Sequence, residues 1–283
     1  MLQNKAICRQ VRAALDEDIG TGDLTASFVP AEKQLDAKVI SREAIIVCGA
    51  PWFDESFRQL SSSVSVDWQV KDGQWVRAGQ TLCVLSGEAR SLLTGERTAL
   101  NFLQMLSAVA TRTRKFVEAV AGTDAQIVDT RKTLPGLRLA QKYAVRCGGG
   151  VNHRTGLYDG ILIKENHIIA AGGIEAALHR AGKIAPPGVF IQIEVETQDE
   201  LIQALSAGAR MVLLDNFDLA GLRDAVAYNR QFSGAAAVLE ASGNVTLDTV
   251  RAIAETGVNR ISIGSLTKDI QAADLSMRFS GTV

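Results

Sequence analysis

The sequence predicts an α/β protein whose larger part is a parallel sheet, closed or nearly closed into a barrel, with helices outside it. Three observations carry this expectation. Beyond residue 121, short apolar runs alternate with amphipathic stretches of helical period. The later apolar runs recur at roughly 20–30 residues, as βα units require. No G-x-G-x-x-G follows the first of them, so a dinucleotide-binding fold lacks its fingerprint.

The elements follow in order. The opening run MLQNKAICRQVRAALDEDIG reads as an amphipathic helix. Charges interrupt it throughout, so it has no secretory h-region. No apolar run elsewhere approaches the roughly 18–20 residues of a membrane helix. Runs rich in β-branched residues at 37–40, 44–47, 64–68 and 81–85 predict strands of an antiparallel or mixed sheet. Residues 70–87 look like half of a lipoyl or biotinyl hammerhead, but the exposed lysine that such carriers modify is missing, so the segment is read as structural. From 91 to 121 the spacing becomes helical. Leu92, Leu93, Ala99, Leu100, Leu103, Leu106 and Val109 share one side, and Arg97, Asn101, Gln104 and Ala108 form a neighbouring, mostly polar stripe. Then come predicted strands at 126–129, 161–164, 190–194, 211–214, 237–240 and 260–263. Helices are predicted at 137–146, 174–181, 198–207, 219–228 and 247–255. The tail after Lys268 is too short for another unit and is expected to return to the first domain.

Composition narrows the function. With 47% hydrophobic and 5% aromatic residues, the chain can bury an aliphatic core, which excludes disorder. The 30 basic and 31 acidic residues leave a net charge of −1, and no nucleic-acid or membrane partner is expected. The four cysteines, Cys8, Cys48, Cys83 and Cys147, form no C-x-x-C pair. They are read as small buried hydrophobes of a protein in a reducing cytoplasm.

In parallel α/β architectures, reactive groups collect at the C-terminal ends of the strands. The predicted strands end in Asp129-Thr130-Arg131-Lys132, in Lys164-Glu165-Asn166-His167, in Glu194-Val195-Glu196, in Asp215-Asn216, in Glu240-Ala241-Ser242-Gly243-Asn244 and in Gly264-Ser265. Six polar ends on one rim predict a site. Its charges are segregated: Arg131, Lys132, Arg138, Lys142, Arg146, Arg154 and Lys164 meet only Asp159, a net +6 over 130–164. That excess predicts an anionic ligand. Lys142 and Arg146 lie at helical spacing and are expected to face solvent, so Arg131, Lys132, Arg154 and Lys164 are the better candidates. The arginine fork suits carboxylate and phosphate. Ser242-Gly243-Asn244 and Gly264-Ser265 follow late strands, where barrels bind phosphate through backbone N–H groups. Gly148-Gly149-Gly150 has no strand leading into it and reads as a hinge or helix stop. Glu194, Glu196 and Asp215 could hold Mg²⁺ or sugar hydroxyls, or pair with bases across the rim.

Along the whole chain run EDIGTGDLT at 17–25, GERTALNFL at 95–103, DTRKTLPGLR at 129–138 and GGGVNHRTGLYDGILIKENHI at 148–168. Then follow the Glu194 strand, LLDNF at 213–217, LEASGN at 239–244 and ISIGSLT at 261–267. In these motifs and their order the sequence resembles the quinolinate phosphoribosyltransferase family, also called carboxylating nicotinate-nucleotide pyrophosphorylases. The resemblance implies an N-terminal α/β sandwich domain over 1–108, rejoined by the tail 266–283, and an incomplete, open α/β barrel over 109–265. It implies transfer of phosphoribosyl from phosphoribosyl pyrophosphate to quinolinate with decarboxylation. The products would be nicotinate mononucleotide, pyrophosphate and CO₂, a step of NAD biosynthesis. It also implies Mg²⁺ and a homodimer or dimer-based oligomer with shared active sites.

By the same resemblance, Arg131, His153, Arg154 and Lys164, with Thr130, would line the quinolinate pocket, and Arg97 would reach in from a partner subunit. Lys132 would lie between quinolinate and pyrophosphate. Glu194 and Asp215 would take ribose hydroxyls and metal, and Ser242, Gly243, Asn244, Gly264 and Ser265 would cradle the 5-phosphate. Lys132, Lys164, Glu194 and Asp215 are thereby expected to be catalytic. One departure is visible: Thr267-Lys268-Asp269 stands where Thr-His-Ser is expected, so nothing is carried over to Lys268. Three competing readings differ in chemistry. Molybdenum-transport-associated paralogs share GTGDLT and TRKT but are expected to lack the lysine that is Lys164 here. A Schiff-base aldolase would use Lys164 as nucleophile, which the neighbouring Glu165 disfavours. A non-catalytic sugar-phosphate sensor would bind ligand without releasing pyrophosphate.

Overall fold

The computed structural model describes residues 2–234 and 236–280. The chain opens with α1 (Leu2–Ile19), a 3-10 turn (Ala26–Phe28), β1 (Gln34–Ser41), β2 (Ile45–Ile46), α2 (Ala50–Leu60), β3 (Ser65–Trp68), β4 (Trp75–Val76), β5 (Thr81–Glu88) and α3 (Ala89–Ala119). It continues with β6 (Gln126–Val128), α4 (Arg138–Cys147), β7 (Gly160–Ile163), α5 (Glu165–Ala171), α6 (Ile174–Ile184), β8 (Phe190–Val195) and α7 (Gln198–Ser206). Last come β9 (Met211–Asp215), α8 (Leu219–Gln231), β10 (Val238–Ser242), α9 (Leu247–Ala254), β11 (Arg260–Ser262), α10 (Ser265–Lys268) and β12 (Leu275–Ser280). Two compact units divide these elements. One takes the chain up to Arg114, Thr133–Gly149 and everything from Leu266; the other takes Lys115–Lys132 and Gly150–Ser265. The segment 133–149, with α4, thus belongs to the first unit, although it lies between two stretches of the second.

The first unit is built on an antiparallel sheet in the order β12-β1-β5-β3, with β2 and β4 as a separate pair. Alternation along β1 shows why it forms: Ala37 and Val39 are buried while Asp36 and Lys38 are exposed. The covered face meets Phe53 and Phe57 of α2 and Leu92, Ala99, Leu100 and Leu103 of α3 in one core. Each of these leucine and phenylalanine side chains contributes about 1.5–3 kcal/mol by leaving water. Gly95 lets α2 and α3 approach, because a Cβ there would lie 2.8 Å from the Phe57 ring. β12 pairs with the free edge of β1, Met277 opposite Val39. Two expectations fail in this unit. Leu93 is exposed and lies with Arg97 and Asn101 on the open stripe of α3. Lys142 is buried, 2% exposed, because α4 is packed on more than one side.

The second unit holds six parallel strands in the order β6-β11-β10-β9-β8-β7. A doubly wound sheet reverses its order at a switch point. Here the first strand pairs with the last, and every other neighbour is consecutive. That is the cyclic order of a barrel with one seam open, between β6 and β7. Among the described residues, the far edge of β6 carries only the single bridge Val128↔Val151. Local signals start the outer helices: Thr197 accepts a hydrogen bond from Glu200 N–H ahead of α7, and Asp218 from Gly221 N–H ahead of α8. α5, directly after β7, was not anticipated from the sequence. Among the described residues no helix is long and apolar enough to cross a membrane.

Candidate active site

Because all six strands are parallel, their C-terminal ends share one rim, and the second unit alone brings most of the expected residues to it. Lys164 follows β7, Glu194 is the last residue but one of β8, Asp215 ends β9, Ser242 ends β10, Gly264 follows β11, and Thr130, Arg131 and Lys132 follow β6. Of the seven bases in 130–164, Arg131, Lys132, Arg154 and Lys164 belong to this unit, whereas Arg138, Lys142 and Arg146 belong to the first.

The basic side of the rim flanks the seam. Thr130 Oγ1 accepts the Lys132 N–H at 3.0 Å, turning the chain sharply after β6. Asp129 is fully buried, and its Oδ1 accepts the His153 N–H at 2.8 Å, tying the return segment to the end of β6. Arg154 donates through Nη1 to Gly160 O at 3.1 Å. Burial first, and then the charge of neighbouring Arg131, push the Arg154 guanidinium below its ordinary value. Two like charges are therefore held near each other, an arrangement that an anion would relieve. Past Arg154, a tight turn exposes Leu157 and Tyr158. Burial works against the Asp159 carboxylate there, but the N–H groups of Gly156 and Thr155 hold its pKa below the usual value.

The acidic side sits on the middle of the sheet. Lys164 Nζ donates to Glu194 Oε2 at 2.5 Å, with the lysine side chain 48% and the glutamate 13% exposed. His167 Nδ1 accepts the Lys164 N–H at 3.0 Å, so the imidazole of the KENH run caps the turn into α5. Asp215 pairs in register with Ser242, and its Oδ2 accepts from Asn216 Nδ2 at 3.0 Å. Asn216 and Asn244 adopt φ of 57° and 40°, the left-handed region that asparagine tolerates better than most residues. Gly243 is required twice over: φ is 111°, and a Cβ would meet Asn216 Oδ1 at 2.3 Å. At Gly264 a Cβ would press on Lys132 Cδ at 3.1 Å, so the missing side chain lets Lys132 lie along the backbone. Ser265 Oγ is buried without a hydrogen-bond partner. Glu196 is exposed, its N–H turned to Glu200 at 2.7 Å.

One part of the site was missed by sequence reasoning. Glu240, read there as part of a strand end, lies inside β10 and is fully buried. It faces Arg260 Nε at 3.2 Å and accepts from Gln192 Nε2 at 3.2 Å. Gln192 Oε1 then meets His153 Nε2 at 2.7 Å. The other ring nitrogen, Nδ1, accepts the Arg154 N–H at 2.7 Å, which assigns the proton to Nε2. A buried chain Arg260–Glu240–Gln192–His153 thus fixes the imidazole, and the imidazole fixes the backbone that carries Arg154. The sequence signal was polar residues inside the apolar runs FIQIEV and VLEAS. Glu240→Gln should cost about 2 kcal/mol of stability, because Arg260 would stay buried without its counter-charge. Thermal unfolding measures this, and an unchanged midpoint would make the ion pair dispensable. Arg97, in the first unit, is exposed on α3.

Two family models match. That of the quinolinate phosphoribosyl transferase N-terminal domain covers residues 23–107, and that of the C-terminal domain covers 109–278. The chain is 43% identical over 261 residues to a Bacillus subtilis (strain 168) protein named probable nicotinate-nucleotide pyrophosphorylase [carboxylating], with 92% of this chain and 89% of that one covered. It is 40% identical over 274 residues to the Mycobacterium leprae (strain TN) protein named nicotinate-nucleotide pyrophosphorylase [carboxylating], with 94% and 95% covered. The solved structure of the nicotinate-nucleotide pyrophosphorylase from Francisella tularensis is similar at a TM-score of 0.93 and 46% identity, covering 98% of this chain and 97% of the other.

Proposed function

Since the chain belongs to the quinolinate phosphoribosyl transferase family, we propose that it transfers phosphoribosyl from phosphoribosyl pyrophosphate to quinolinate with loss of CO₂, a step of NAD biosynthesis. The observation that carries this reading is the rim itself: four bases beside the open seam share it with two carboxylates on the adjacent strands β8 and β9, and Lys164 pairs with one of them. Quinolinate is a dianion and the sugar substrate a polyanion. Arg131, Arg154 and Lys164 pair with the two carboxylates of quinolinate, with Thr130 beside them. His153 acts from behind, by holding Arg154 in place.

Lys132 lies between quinolinate and the pyrophosphate. The backbone at Ser242, Gly243, Asn244 and Gly264 takes the 5-phosphate, and the buried, unpartnered Ser265 hydroxyl supports that assignment. The pyridine nitrogen attacks C1 of the ribose, and pyrophosphate leaves with the C1–O bonding pair. Positive charge develops at C1, and the Glu194 carboxylate, oriented by Lys164, stabilises it, while Asp215 orients the ribose hydroxyls. The glycosylated ring nitrogen is then cationic. The bond to the 2-carboxylate breaks, its electron pair stays on ring carbon stabilised by that cation, and protonation completes the product. The chain's task is to position the two anions and exclude water.

The donor chemistry at Glu194 and Asp215 fits Mg²⁺, a hard cation that binds one or two carboxylates plus substrate oxygens. Among the described residues no third acid converges with these two, so substrate and water would complete the shell. When bound, the ion neutralises diphosphate charge. The four free thiols support a reducing cytoplasm. Incubation with quinolinate, phosphoribosyl pyrophosphate and Mg²⁺ tests the reading: CO₂ and pyrophosphate should appear in equal amounts. Binding of both substrates without pyrophosphate release would favour a sensor instead.

The proposed assembly is a homodimer in which Arg97 completes the partner's site. Its exposure on α3 beside exposed Leu93 supports this. Arg97→Ala and Lys164→Ala should each be inactive alone. After subunit exchange, about a quarter of wild-type activity per subunit should return, because about half of the dimers are mixed and each has one intact site of two. Proven exchange without recovered activity would confine Arg97 to its own chain.

A further inference from the structure

The first unit holds a cluster of reactive groups that the chemistry above does not use. Cys48, between β2 and α2, is fully buried, and Cys147, the last residue of α4, is half-buried. Their Sγ atoms and a carboxylate oxygen of Asp72 all lie within 4.8 Å of one another. We propose that Cys48, Cys147 and Asp72 form a binding site for a thiophilic divalent cation of the zinc class, with water in the fourth position.

The donor set and its spacing carry this. Tetrahedral zinc with bonds of about 2.0–2.3 Å sets its ligand atoms about 3.3–3.8 Å apart, so the three donors need to close by no more than about 1–1.5 Å. The carboxylate is already oriented. Asp72 accepts from Gly49 N–H at 3.1 Å on both oxygens, from Ala50 N–H at 3.2 Å and from the Tyr143 hydroxyl at 2.8 Å. These contacts, two on each oxygen, fix the carboxylate as neighbours fix metal-binding carboxylates, and a metal would take the place of the Tyr143 hydroxyl, which is free to turn aside.

Electrostatics favours a cation over a redox thiolate. Reactive cysteines sit at helix N-termini, where the partial positive charge stabilises the anion. Cys147 sits at the opposite end, where α4 presents partial negative charge and favours cations. Binding a cation here releases thiol protons, because zinc takes cysteine as thiolate. The sequence gives no hint of this, since the two cysteines are brought together only by the packing of α4 beside the start of α2.

The test uses the full chain, reduced and stripped of metal, titrated with Cd²⁺ as a spectroscopic stand-in for zinc. Thiolate-to-cadmium charge-transfer absorption should rise to one equivalent and fall when Zn²⁺ is added in excess. Cys147→Ser should abolish the band, and Cys8→Ser should keep it. Mapping alkylation on the unmutated chain gives a readout independent of any variant's folding: Zn²⁺ should protect Cys147. No band in the unmutated chain, a band that survives Cys147→Ser, unprotected Cys147, or a Cys48–Cys147 disulfide formed in place of metal uptake would each overturn the proposal.

Discussion

Offered quinolinate and nicotinate in turn, the protein should use quinolinate about 10⁴-fold more efficiently, measured as kcat/KM. Nicotinate lacks the 2-carboxylate. Arg131 and Arg154 already repel each other, and a ligand with one carboxylate leaves part of that charge unrelieved. Leaving groups built to hydrogen-bond an anion unpaired in a closed site is what makes such discrimination large. Nicotinate also cannot lose CO₂ from the carbon beside the glycosylated nitrogen. Comparable turnover of the two acids would overturn the quinolinate assignment while leaving phosphoribosyl transfer intact.

The second large effect is expected at the two bases beside β7. Lys164→Ala and Arg154→Ala should each lower kcat/KM by about 10²–10³-fold, equivalent to about 3–4 kcal/mol of transition-state stabilisation. Lys164 is doubly placed: it pairs with substrate carboxylate and it orients Glu194 through the 2.5 Å contact. Its removal should therefore lower kcat as well as raise KM. Both residues lie at the rim, and neither is part of the buried core. Near-normal turnover in either folded variant would remove that residue from the site.

The parallel strands were legible in the sequence because buried strands leave short apolar runs at βα spacing, and the strand-end residues followed directly from that. What failed depends on contacts between distant residues. Leu93 was assigned to the buried side by its chemistry, but only packing decides which of two adjacent helix faces is covered. Lys142 fits a solvent-facing period, and burial of α4 on several sides reverses the reading. The placement of 133–149 with the first unit leaves no local trace, because a helix pattern does not say which sheet it joins. Glu240 and Gln192 were hidden because a polar residue in a strand reads as an outward-facing one; in a ring of strands, the inward face is also lined with side chains. Arg260 on β11 pairs with Glu240 on the neighbouring β10, and that neighbour is known only once strand order is known.

The open seam also divides the site by how readily its backbone lets go of its hydrogen bonds. β9 and β10 are paired on both sides and carry residues with almost no exposure, such as Val212, Leu214 and Leu239. Their amides open only with large parts of the sheet. β7 is an outermost strand and β6 has only the Val151 bridge beyond it, so their amides open at lower free energy. The groups assigned to the sugar phosphate follow mostly the slowly exchanging centre, whereas Arg131, Lys132, Arg154 and Lys164 all adjoin the fast edges. A ligand that pairs with these bases would staple the two edges together. Its binding would then register as slowed amide exchange in β6 and β7, with β9 and β10 unchanged, so part of its binding free energy is spent on ordering the seam.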